Sequence, residues 1–235
     1  PVFAVYSSFL QRAYDQILHD VCIQHLHVVF AIDRAGLVGS DGETHQGLFD
    51  VAMLSNIPKI TVYSPATYAE MRWALEQSLY AHTGVCCVRY PRGGEVSLPE
   101  GFDPHKDWSM IHPGKETVFV TYGRIASEVC KAAQMLAENG TEVSVLKINR
   151  ILPFCEEVLA QIKDAKQILF VEEGMKNGGI GQILGEKLLE QGYQGRYQLL
   201  AIDDCFVSQA TVARAIELSG LDAKSIVRFY EQKIK

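Results

Sequence analysis

Two α/β units, each a doubly wound and mostly parallel sheet, are the architecture predicted by this 235-residue sequence. Three observations carry that expectation. Apolar runs of strand length alternate with stretches whose apolar residues recur at helical spacing. Several of those runs lack polar alternation, as strands covered on both faces do. The rhythm lapses once, between Tyr90 and Pro113, and then starts again.

In the first unit, Val2 to Tyr6 is an apolar strand run closed by Ser7 and Ser8. From Phe9 to about Cys22, Leu10, Ala13, Tyr14, Ile17, Leu18 and Val21 recur at steps of three and four, which predicts a helix with Ser8 as its N-cap. His27 to Ile32 is a second strand, and a glycine-punctuated loop leads from it to a short helix ending at Leu54. Lys59 to Tyr63 is a third strand, stopped by Ser64-Pro65. Thr67 opens a helix running to about Ala81, with Tyr68, Met71, Leu75 and Leu79 on one face. Val85 to Arg89 reads as a fully buried strand.

Four prolines (91, 99, 104 and 113) and a scatter of charges mark the stretch up to Pro113 as a linker. Beyond it, Thr117–Thr121, Glu142–Ile148, Ile168–Glu172 and Tyr197–Ile202 read as strands. Helices are expected over Ile125–Asn139, Cys155–Ala165, Gly179–Gln191, Thr211–Ser219 and Asp222–Lys235. Gly140 suits a C-terminal stop, and Asp222 suits a cap for the last helix. Residues 1–93, 94–113 and 114–235 thus form a first unit, a linker and a second unit.

A net charge of −6 leaves no basic excess for nucleic-acid phosphates, so no nucleic-acid partner is expected. No apolar run approaches the roughly 20 residues that span a bilayer, so no membrane association is expected. The six cysteines form no C-x-x-C pair and sit mostly in apolar runs, which suits reduced thiols in the cytoplasm. Pro1 begins inside a strand pattern without a methionine, so the sequence reads as a fragment of a longer polypeptide.

The chemistry concentrates between Phe30 and Gly47. A strand feeding a polar, glycine-rich loop and then a helix is the usual ligand-side edge of an open α/β sheet. A lone loop histidine is more often structural, but His45 stands beside Thr44 and Asp41, where a near-neutral group could move protons. Arg34 and Arg92 each follow a strand run by a few residues and so belong near one sheet edge. They could grip a phosphate together, or Arg34 could simply pair with Asp33. Phe9, in a helix's first turn, is by spacing alone a core residue.

The segments Asp33-Arg34-Ala35-Gly36 and Asp41-Gly42-Glu43-Thr44-His45-Gln46-Gly47 resemble the 1-deoxy-D-xylulose-5-phosphate synthase family of the transketolase superfamily. Tyr6-Ser-Ser-Phe9-Leu-Gln11-Arg12-Ala-Tyr14-Asp15-Gln16 and Val88-Arg89-Tyr90-Pro91-Arg92-Gly93 agree with it. The resemblance implies an incomplete transketolase pyrimidine-binding domain followed by a transketolase C-terminal domain. It also implies a transferase, dependent on thiamine diphosphate and Mg2+, that condenses pyruvate with glyceraldehyde 3-phosphate. His45 and Asp41 would be catalytic, and Arg34, Arg92 and Tyr6 would bind the substrate phosphate. Phe9 and Arg12 would contact the cofactor, with Phe9 stacked on its aminopyrimidine. The implied assembly is a homodimer completed by an N-terminal half holding the diphosphate, the metal and an activating glutamate.

Ser40-Asp41-Gly42 is not the metal motif of that superfamily: its first position is serine, and Asn56 follows too closely. No metal ligand is therefore assigned here. A dinucleotide reading of Gly178-Gly179-Ile-Gly181 also fails, because Glu173 to Asn177 separate strand from glycine where an immediate turn is required. Two other readings stay open: a transketolase-like enzyme with a sugar-phosphate donor, and a catalytically silent docking fragment.

Overall fold

Ten strands fold into two five-stranded sheets in this computed structural model, which describes residues 1–234. The first sheet takes β1 (Val2–Tyr6), β2 (Val29–Asp33), β3 (Thr61–Tyr63) and β4 (Cys86–Arg89) in the order β1-β2-β4-β3. All four are parallel, and β8 (Arg150–Leu152) adds an antiparallel edge beside β3. The second sheet runs β10 (Arg196–Ile202), β9 (Gln167–Met175), β6 (Thr117–Tyr122), β7 (Ser144–Ile148) and β5 (Trp108–Ile111). Only β5 is antiparallel there. The predicted class holds: helices cover two mixed, mostly parallel sheets.

Two strands lie where none is expected. β5 falls inside the stretch that reads as linker and pairs Trp108–Ile111 with Ile148–Val145. β8 follows β7 after a single residue, Asn149, but leaves the second sheet and joins the first. Asn149 and Arg150 both donate backbone N–H groups to the Asp107 carbonyl, and the Arg150 side chain donates to the Asp107 carboxylate at 2.8 Å. Those bonds turn the chain between sheets.

The helices are α1 (Ser7–Leu10), α2 (Asp50–Leu54), α3 (Tyr68–Glu76), α4 (Ala126–Glu138), α5 (Glu156–Ile162), α6 (Ile180–Glu190), α7 (Val212–Leu218) and α8 (Ala223–Lys233). α1 continues as a tight turn over Gln11–Ala13 and a wide π turn over Gln16–Cys22. Ser8 does not cap it. The chain enters α1 directly from β1, so Tyr6 is the N-cap and Ser8 lies buried in the first turn. Thr67 caps α3 in a reciprocal capping box with Glu70. The buried stripe of that helix is Glu70 and Ala74 with Met71 and Leu75 beside it, continued by Ser78 in the π turn over Gln77–Ala81, whereas Tyr68 is exposed. Gly140 turns at φ +77° after α4, and Asp222 caps α8 through the Ser225 N–H. Lys235, the last residue of the expected final helix, lies outside the described residues.

One apolar core joins both units. Leu10, Ile32 and Val62 of the first pack in the same cluster as Val120, Ile148 and Phe170 of the second. A charged pair crosses this seam. Lys147 on β7 donates to Glu70 on α3 at 2.7 Å, with both side chains nearly inaccessible. Within the first unit, Arg89 at the end of β4 makes a fork to Asp50 on α2, with bonds of 2.9 and 3.2 Å.

Candidate functional site

Register aligns the C-terminal ends of three neighbouring strands. Tyr6 pairs with Asp33 across β1 and β2, and Ile32 pairs with Arg89 across β2 and β4. The residues that follow these ends therefore emerge side by side: Ser7 to Arg12 from β1, Arg34 from β2, and Arg92 from β4.

The loop from Arg34 to Gly47 folds back on itself. Gly36 and Gly47 exchange backbone hydrogen bonds of 2.7 and 2.8 Å. A Cβ on Gly47 would sit inside the Arg34 carbonyl oxygen, so only glycine permits that approach. Arg34 adopts φ +59°, a left-handed conformation uncommon outside glycine. The Asp33 carboxylate accepts the Arg34 N–H at 2.7 Å, which offsets that strain. Elements of the second unit brace the loop's outer side, with Gln209 donating to the Ser40 carbonyl and Ser208 to Glu43. Gln46 accepts from the Val38 N–H and donates to the Val207 carbonyl.

All seven predicted side chains meet on this surface. Asp41 bridges the two arginines, accepting from Arg34 Nε at 3.1 Å and from Arg92 Nη1 at 2.5 Å. Arg92, then Arg34, holds the Asp41 carboxyl below the usual carboxylate range through these bonds. The Arg34 guanidinium lies 3.8 Å from the centroid of the Tyr6 ring. Tyr6 stacks on Phe9 at 5.5 Å, and His45 meets the edge of Phe9 at 5.4 Å. Arg12 lies 5.7 Å over Phe9. His45 Nδ1 is hydrogen bonded to Thr44 Oγ1 at 2.9 Å. The bland alternative for Arg34 is present too: it pairs with Asp33 at 3.3 Å, a longer contact than the one to Asp41. Phe9 is not a core residue, for it is 39% exposed.

Chemically the surface offers a cationic pair around one carboxylate, a histidine with a fixed ring orientation, and an accessible aromatic face. Among the described residues no cluster of three His, Cys, Asp or Glu side chains is placed to hold a metal ion. No helix among them is long and apolar enough to cross a membrane. All six cysteines are free thiols.

Sequence reasoning missed the residues behind the site. Asp50 and Arg89 lie beneath it, and Arg89 also donates to Ser64 Oγ at 3.1 Å. Behind them, Glu172 is fully buried and accepts from Tyr122 Oη at 2.8 Å and from the Ile180 and Gly181 N–H groups at 3.1 Å. The protein's own carboxylate thus occupies the α6 N-terminus, where a dinucleotide would have placed a phosphate. The one available signal was a Glu-Glu pair ending an otherwise apolar strand.

Burial pushes the Glu172 carboxyl up to about 7, against the three donors that favour its charged form. An unfolded carboxyl titrates near 4.5, so the folded chain holds the proton across the interval between. Stability is then expected to fall as pH rises from about 5 to 8, by about 3 kcal/mol for this group. Urea unfolding of the parent chain and of Glu172→Gln over that range checks it: the variant is expected to lose this slope.

Residues 1–94 match the family model "Transketolase, pyrimidine binding domain", and residues 106–226 match "Transketolase, C-terminal domain". A 1-deoxy-D-xylulose-5-phosphate synthase of Clostridium acetobutylicum is 37% identical over 97% of this chain and 38% of its own length. The Clostridium perfringens and Synechococcus proteins of the same name are 38% and 36% identical, each matched over 37% of its length. The chain therefore spans under two fifths of the curated relatives it matches. Among solved structures, an inactive β4 tetramer of a split-gene transketolase superposes with a TM-score of 0.86 at 24% identity, covering 100% of this chain and 76% of that one. A transketolase variant from Pichia stipitis superposes at 0.82 with 17% identity, over 99% of this chain and 33% of that one. These two likenesses concern the fold.

Proposed function

Because this chain belongs to the transketolase family, we propose that it supplies the acceptor-binding and pyrimidine-facing part of a cytoplasmic, thiamine-diphosphate-dependent transferase. The reaction is the condensation of pyruvate with glyceraldehyde 3-phosphate to 1-deoxy-D-xylulose 5-phosphate and carbon dioxide. One observation carries this reading: Arg34, Arg92, Asp41 and Tyr6 converge on three aligned strand ends beside Phe9 and His45. The names of the relatives, each a 1-deoxy-D-xylulose-5-phosphate synthase, support the choice of substrates.

The part of Phe9 left exposed between Tyr6, His45 and Arg12 fits an offset contact with a heteroaromatic ring. Mg2+ and the diphosphate are assigned to the remaining length that the relatives possess, because Ser40-Asp41-Gly42 departs from the superfamily's metal motif. Thiamine diphosphate, when bound, supplies the carbanion chemistry. This chain's residues do the rest. Arg34 and Arg92 hold the acceptor's phosphate, Tyr6 backs Arg34, and Asp41 accepts hydrogen bonds from the acceptor's hydroxyls. His45 Nε2 gives a proton to the oxygen of the acceptor's aldehyde as that oxygen gains charge. Arg12 packs over Phe9 and walls the aromatic face. The exposed Val2 and Phe3 on the β1 edge support an assembly with the companion region and a second copy.

The test combines this chain with a polypeptide supplying the remaining region, thiamine diphosphate and Mg2+. Formation of 1-deoxy-D-xylulose 5-phosphate from pyruvate supports the reading. Turnover only with xylulose 5-phosphate as donor replaces it with a transketolase, and no turnover with either donor leaves a docking fragment. In the reconstituted enzyme, Arg92→Ala is expected to raise KM for glyceraldehyde 3-phosphate roughly tenfold, with KM for pyruvate little changed. The effect is moderate because the Arg92 side chain is 44% exposed. Equal changes in both constants would remove Arg92 from the phosphate site.

A further inference from the structure

The inner wall of the acceptor loop is built by the other unit. Glu173, on β9, places its carboxylate under Gly36 and accepts the Leu37 N–H at 2.7 Å. A Cβ on Gly36 would meet the Glu173 carboxyl carbon at 2.6 Å, so the chain passes this group as closely as a backbone can. Arg124, just after β6, donates Nε to Glu173 at 2.9 Å and a second nitrogen to the Leu37 carbonyl. One ion pair, with side chains 8% and 7% exposed, thus binds both polar groups of a single residue.

That residue stands three positions from Arg34. Between them, the Ala35 N–H donates to the Tyr90 carbonyl, two residues before Arg92, and Gly36 is bridged to Gly47. Moving Leu37 therefore strains the link between the β2 and β4 strand ends. Among the described residues neither Arg124 nor Glu173 bonds to Arg34, Asp41 or Arg92. We propose that Arg124 and Glu173 are positioning residues for the phosphate site, fixing the separation of Arg34 and Arg92 through the Leu37 backbone. This rests on the assignment of Arg34 and Arg92 to the acceptor's phosphate.

Burying a lone charge would unfold the loop for trivial reasons, so the informative variant removes both charges: Arg124→Met with Glu173→Gln. Two readouts on the full chain are needed: amide exchange at Ala35 and Leu37, and titration with glyceraldehyde 3-phosphate. The double variant is expected to keep the parent's circular dichroism, exchange these amides roughly tenfold faster and bind the ester roughly tenfold more weakly. Leu188→Ala, on the buried face of α6, is expected to lower the unfolding midpoint while leaving both readouts at parent values. Should the double variant not fold, Arg124→Lys keeps a cation against Glu173 while losing the forked donor to the Leu37 carbonyl, and is expected to weaken binding about threefold. Unchanged affinity in a folded variant overturns this inference alone. Failure of the parent chain to take up the ester overturns the phosphate assignment itself, and the inference with it.

Discussion

Replacing Arg34 by alanine is expected to weaken glyceraldehyde 3-phosphate binding roughly a hundredfold, the largest functional effect of any single change at the site. On the proposed assignment two charge-assisted hydrogen bonds to a phosphate are at stake, each worth about 1.5–3 kcal/mol. Arg34 is also more enclosed than Arg92, with its side chain 18% exposed against 44%, so solvent screens it less. Two secondary losses follow. Tyr6 loses the cation 3.8 Å above its ring, and Asp41 keeps only its bond to Arg92. Titration calorimetry on the chain measures the affinity directly. A change under threefold would return Arg34 to a structural role as the partner of Asp33 and Asp41.

The largest effect on stability is expected at a residue that touches no substrate. Arg89→Met leaves Asp50, 2% exposed, as a buried carboxylate facing only its own neighbour's N–H. Breaking a buried pair by removing one partner costs about 3–5 kcal/mol. For a chain of this size that is a drop in the thermal midpoint on the order of 10 °C. Pairing Arg89→Met with Asp50→Asn is expected to recover most of the loss, because the asparagine oxygen still accepts the Val51 N–H. A double-mutant cycle by urea unfolding separates the outcomes, and additive losses would show the two groups to be uncoupled.

The sheet architecture was legible because buried parallel strands announce themselves as mainly apolar runs of strand length, and eight of the ten strands overlap such runs in the sequence. β5 and β8 were not, for a common physical reason. Each is a short antiparallel edge strand whose pairing depends on a distant segment, so neither carries a local pattern. Trp108–Ile111 sits among prolines, and Arg150–Leu152 is only three residues long, between Asn149 and Pro153. The Ser8 cap failed because β1 runs into α1 without a connecting turn. At the site, the residues projecting from strand ends were legible as types placed at a sheet edge. The buried partners behind them were not. Arg89 with Asp50, and Arg124 with Glu173, lie 39 and 49 residues apart, and nothing local in a charged residue declares which distant charge it will meet.

β8 also settles what a break in the backbone would do. A protease that nicked the stretch between Gly94 and Lys106 would cut the only covalent tie between the two halves, yet Arg150 to Leu152 would still be zipped onto β3. The Glu70–Lys147 lock would remain closed across the cut. The severed pieces are therefore expected to migrate together as one particle under native conditions and to part only in denaturant.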